Sequence, residues 1–91
     1  MTLIQAIQAA REAATLLTGL PIDQVVQSAR QEEGWRILLD VRESKARMGD
    51  NDLLATYEVL LDGAGELAGF NRIARYHRQA GAVGGDASAA A

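Results

Sequence analysis

Two stretches of this chain place an apolar residue at every second position, and together they leave little choice of fold. In "WRILLDVRE", Trp35, Ile37, Leu39 and Val41 alternate with Arg36, Leu38, Asp40 and Arg42. In "LLATYEVLLD", Leu53, Ala55, Tyr57, Val59 and Leu61 fall on one face in the same way. A period of two is that of a half-buried strand. The buried face of such a sheet needs a second layer to pack against.

The N-terminus supplies that layer. Thr2 followed by Gln5 has the spacing of a capping box. Leu3, Ile7, Ala10, Ala14 and Leu17 then recur at helical spacing, and Ile4 and Ala13 widen the stripe. Gly19 suits a left-handed residue past the helix end, and Pro21 prevents continuation. The pattern predicts a helix over residues 3–17. Its alanine-rich face can lie close against a sheet.

Elsewhere the patterning is weaker. "QVVQSARQ" is a strand candidate, with a short helix starting near Pro21 as the alternative. Asp62-Gly63-Ala64-Gly65 offers residues that accept positive backbone dihedrals, as a tight hairpin requires. The following "ELAGFNRIARYHR" is an irregular strand in which Gly69 marks a bulge. "SKARMGDND" is polar and aperiodic and reads as a mobile connection. The tail "GAVGGDASAAA", residues 81–91, has little to bury and is expected to be disordered. The prediction is a single α+β domain over residues 1–80, with an N-terminal helix packed on a three- to four-stranded antiparallel sheet.

With 91 residues there is room for one domain and a modest core. A net charge of −3 gives no global reason to bind nucleic acid. The absence of cysteine removes disulfides and thiolate chemistry and fits a reducing compartment. "MTLIQAIQAAREAATLL" lacks a basic leading region, and Arg11 and Glu12 interrupt its apolar run. No stretch approaches the ~20 apolar residues of a membrane span. The chain therefore reads as a soluble cytoplasmic protein.

Catalytic groups are not indicated. His77 is the sole histidine, with no cysteine or second histidine to complete a metal site, and reads as an exposed side chain. Asp50 and Asp52 in "GDND" fall short of a calcium loop and read as a solvated loop. Ser28, Ser44 and Ser88 have no visible base partner. The glycines of "DGAGELAGF" lack the strand–loop–helix order that cradles phosphate. No enzyme, cofactor or small-molecule substrate is expected.

Trp35 and Tyr57 sit within apolar alternations and read as core. Phe70, Arg72, Arg75, Tyr76 and Arg78 admit three readings. Arginine beside aromatic residues can stack on single-stranded nucleic acid. The same pairing is enriched at protein interfaces. Arginines along a sheet edge also discourage uncontrolled strand pairing.

Taken in order, "GWRILLDV" at 34–41, "DLLATYEVLLDGAGELAGF" at 52–70 and "RIARY" at 72–76 resemble the gas vesicle protein O (GvpO) family. Two departures stand out: "RMGDND" where family members often carry a proline, and Asn71 and Ala74 where they tend to be more basic. The resemblance implies an accessory role in assembling, or regulating, the gas-filled protein shells that give cells buoyancy, exercised through other gas vesicle proteins. It implies no catalytic site. It places the protein in the cytoplasm, in association with gas vesicles.

On that reading, partner contacts fall to Phe70 or Tyr76 as apolar anchors and to Arg72, Arg75 and Arg78 as carboxylate binders. Nucleic acid and membrane are disfavoured as partners, and an exposed edge strand leaves a homodimer open. The rivals are an RNA-binding regulator and a PepSY-like inhibitory or binding module, which "YEVLLDGAGEL" also resembles.

Overall fold

The computed structural model describes residues 1–44 and 51–78. The chain forms one helix, α1 (Leu3–Thr18), and four strands: β1 (Ile22–Gln31), β2 (Gly34–Ser44), β3 (Leu53–Asp62) and β4 (Leu67–His77). The strands make an antiparallel meander in the order β1-β2-β3-β4. The α+β architecture stands, with the sheet at four strands. "QVVQSARQ" is a strand and not a helix. The tail 81–91, expected to be disordered, and residues 45–50 of the polar connection lie outside the described residues.

Local chemistry sets the ends of α1. The Thr2 hydroxyl accepts from the Gln5 amide at 3.2 Å, while the Gln5 side chain accepts from the Thr2 amide at 2.8 Å. Gly19 takes φ 68° and donates its N–H to the Thr15 carbonyl, a conformation costly for any residue bearing a Cβ. The buried stripe is Ala6, Ala10 and Ala14, all fully enclosed. This corrects the stripe expected from sequence, because Ile4 is 69% and Leu17 55% exposed. Three methyl-sized side chains let the helix backbone settle close to the sheet. A larger residue at any of them would overpack, at a cost of about 1–3 kcal/mol.

Beneath the helix the two alternating stretches pair in register. Trp35 faces Leu61, Ile37 faces Val59, Leu39 faces Tyr57 and Val41 faces Ala55. These residues, with the alanine stripe, make the core. Each large aliphatic side chain buried here stabilises the fold by about 1.5–3 kcal/mol. Gly34 opens β2 against β3 so closely that a methyl group there would overlap the Leu61 carbonyl oxygen. In the β3–β4 loop the Asp62 carboxylate accepts from the Ala64 and Glu66 amides, both at 2.9 Å, and Gly65 turns the chain at φ 87°.

The outer strands are irregular. Pairing steps over Asp23 and Val26 in β1, over Glu43 in β2, and over Ala68 and Ile73 in β4. Each extra residue is a bulge, which bends its strand and re-aims the side chains beyond it. Both sheet edges are thus interrupted twice, a device that discourages pairing with another strand.

Candidate partner-binding surface

α1 packs on β1, β2 and β3. Strand β4 extends the sheet beyond the helix as a ledge. Because directly opposed residues share a face, the register assigns the ledge. Leu67 faces Leu61, Phe70 faces Val59, Arg72 faces Tyr57 and Arg75 faces Ala55, so all four lie on the helix side. Arg72 and Arg75 are three residues apart and would point to opposite faces of a regular strand. The bulge at Ile73 brings them to the same one.

They meet at Glu43, itself a bulge residue. Its carboxylate accepts from Arg75 Nε at 2.7 Å and lies 3.5 Å from Arg72 Nη1. Glu43 is largely covered, at 16% side-chain exposure, whereas the Arg72 and Arg75 side chains are 50% and 54% exposed. Phe70 is half-buried and stacks on Tyr57, with centroids 4.8 Å apart and an interplanar angle of 16°.

On the opposite face, β4 takes part in a different arrangement. Asp40 is fully buried between Leu39 and Val41 in sequence, yet points away from the helix. Its carboxylate accepts from the Thr56 hydroxyl and from the Tyr76 hydroxyl, each at 2.5 Å, and from Gln24 Nε2 at 3.4 Å. Burying a carboxylate is tolerable only when such donors surround it. Burial of the ring, the bond to Asp40 and the negative charges of Asp40 and Asp23 push the Tyr76 phenol up to about 12, against a smaller lowering by Arg78.

Arg78 closes this side. Its Nη2 lies 2.7 Å from Asp23 Oδ1 and 3.4 Å from Asp52 Oδ2, and its amide donates to the Asp52 carbonyl. The bond to Asp23 leads the causes that hold the guanidinium above its already high ordinary value. β1 and β4 are opposite edges of the sheet, about 14 Å apart if the sheet were flat. The bulged outer strands curl toward each other on this side, and the ion pair spans the gap.

The five residues singled out from sequence therefore do not form one surface. Phe70, Arg72 and Arg75 share the ledge. Tyr76 and Arg78 belong to the clasp on the other face. All three arginines are paired within the chain, but Arg78 is enclosed by two acids, while Arg72 and Arg75 divide one. His77 is exposed. Asp52, read from sequence as solvated, is buried at 8% exposure.

Sequence reasoning missed Glu43, Asp23, Asp40 and Asp52 as partners. Only Asp40 carried a usable signal: a charged residue inside a run where both neighbours are core. A shallow depression of about 500 Å³ near Arg11, Glu12, Thr15, Leu16 and Ile22 brings none of these groups together.

The chain is an antiparallel sheet with one helix on one face and a pair of half-exposed arginines beside it, and comparison supplies the family. The family model described as "Gas vesicle synthesis protein GvpO" matches residues 1–82. The chain belongs to the GvpO family. It is 35% identical over 77 residues to Gas vesicle protein O1 of Halobacterium salinarum, an alignment covering 85% of this chain and 65% of that protein. It is 46% identical over 63 residues to Gas vesicle protein O of a Streptomyces species, covering 68% and 48%.

A third relative, Gas vesicle protein O of Haloferax mediterranei, is 31% identical over 70 residues, covering 76% and 50%. The chain thus spans about half to two thirds of the length of these curated relatives. No solved structure gives a significant match. Among the described residues, no helix is long and apolar enough to cross a membrane.

Proposed function

We propose that the protein is a non-enzymatic gas vesicle accessory protein that acts in vesicle assembly or its regulation by binding other gas vesicle proteins in the cytoplasm. The observation that carries this reading is the family match along residues 1–82, which takes in the helix and every strand. The ledge supports it physically. Arginine and aromatic side chains that are half-exposed and held in place by neighbours are the usual anchors of protein interfaces. Fixed side chains also lose little entropy on docking.

The test is affinity purification of the tagged chain from cells that express the full set of vesicle proteins, with bound proteins identified by mass spectrometry. Retention of at least one vesicle protein is expected. Retention of none would overturn the reading.

A further inference from the structure

Among the described residues, the two arginines of the ledge are paired with one acid, an excess of one positive charge. Arg72 and Arg75 bring two positive charges to a single carboxylate. Arg75 uses Nε on Glu43 and Arg72 uses Nη1, so Nη1 and Nη2 of Arg75 and Nε and Nη2 of Arg72 have no partner among the described residues. A guanidinium fork is shaped for two parallel bonds to a carboxylate. Two forks side by side, fixed from below by Glu43, form a receiver for acidic groups. Leu67, 45% exposed, and the stacked Phe70 continue the same face as an apolar strip.

We infer that this ledge binds an acidic segment of another protein, seating carboxylates on Arg72 and Arg75 and an apolar side chain against Phe70 and Leu67. The inference rests on the accessory-protein reading and gives its partner a chemistry. Side chains carry the contact rather than the strand edge, because the bulges at Ala68 and Ile73 interrupt the hydrogen-bonding rim that an added strand would need.

The placement of the aromatic rings favours a protein acid over RNA. The aromatic rings that would stack on bases are engaged, Phe70 on Tyr57 and Tyr76 on Asp40 across the sheet.

Nuclear magnetic resonance titration of the full chain distinguishes the outcomes. The probe is a synthetic peptide of glutamates with interspersed leucines, compared with its glutamine-for-glutamate counterpart and with a single-stranded RNA oligonucleotide, at about 50 mM salt where surface charges are weakly screened. Shift changes centred on β4 are expected with the glutamate peptide. Its affinity should fall at least about tenfold in the Arg72→Gln/Arg75→Gln variant, the equivalent of losing one charge-assisted pair.

Equal binding of the glutamine peptide, equal binding by the double variant, or tighter binding of the RNA would each overturn the inference. So would a salt-sensitive dimer of the unmodified chain, seen by sedimentation and abolished in the variant, since the ledge would then serve a second copy. Should the double variant, still folded by circular dichroism, retain the same vesicle proteins as the unmodified chain, the ledge fails as the site while the accessory role stands.

Discussion

On the helix side of β4 two arginines share one carboxylate, and on the far side one arginine is shared by two. Both clusters use arginines of β4 and of the position just past its end, within seven positions of sequence. Their difference lies in proportion and enclosure. The far-side acids are 18% and 12% exposed and their arginine 35%, so the group is closed and ties both sheet edges together. The ledge keeps its acid covered and its arginines half in water. An arginine with surplus acids is held by the fold. On the proposed reading, one that must share an acid remains available to a partner.

The contrast can be broken first at Asp40. Asp40→Ala removes the acceptor of the Thr56 and Tyr76 hydroxyls and opens the centre of the far side. A loss of about 3 kcal/mol of unfolding free energy is expected, measured by denaturant titration. A loss under ~1 kcal/mol would mean that the network is decorative.

Arg78→Gln comes next. It removes the cation held between Asp23 and Asp52 and unpins the two sheet edges, so the melting temperature should fall clearly and hydrogen exchange at the starts of β1 and β3 should rise. Equal melting of Arg78→Gln and Arg72→Gln would erase the distinction between the clusters.

A smaller effect comes from Tyr76. Its native pKa of about 12 lies above the unfolded value near 10. Native protein therefore holds the proton where the unfolded chain has lost it. The stabilising contribution is complete below about pH 10 and is lost as pH rises toward 12. Denaturation midpoints should stay flat to about pH 9 and decline above it, less steeply than one full proton demands because the ring is part-exposed. In Tyr76→Phe that component of the decline should vanish.

The smallest effect on stability is expected at the ledge. Arg72→Gln, which leaves Glu43 its 2.7 Å bond to Arg75, should change unfolding free energy by no more than about 0.5 kcal/mol, since exposed ion pairs contribute little.

The same contrast explains what could be read from the sequence. β2 and β3 were legible because they pair along most of their length without interruption, so Trp35–Val41 and Leu53–Leu61 keep their alternation. The capping box at Thr2 and the loop at Asp62–Glu66 were legible because each is made by residues adjacent in sequence.

β1 was faint because Asp23 and Val26 each shift the alternation, and its turn to β2 is Glu32-Glu33, a pair that does not announce a hairpin. Bulges also hid the site. From sequence Arg72 and Arg75 could not be placed on one face, and Glu43, 29 and 32 residues away, could not be linked to them. The separation of Tyr76 and Arg78 from the other three depended on that same register. Helix burial was misjudged at Ile4 and Leu17 because spacing alone does not show where along its length a helix meets its sheet.

The most direct measurement is a side-by-side purification of vesicle proteins with two variants, Arg72→Gln/Arg75→Gln and Arg78→Gln, normalised to folded protein. The ledge variant should lose the co-purifying vesicle proteins while remaining folded, and the Arg78 variant should keep them while melting lower. The reverse pattern, with partners lost only when Arg78 is changed, would place docking on the far face and contradict the division of roles between the two sides of β4.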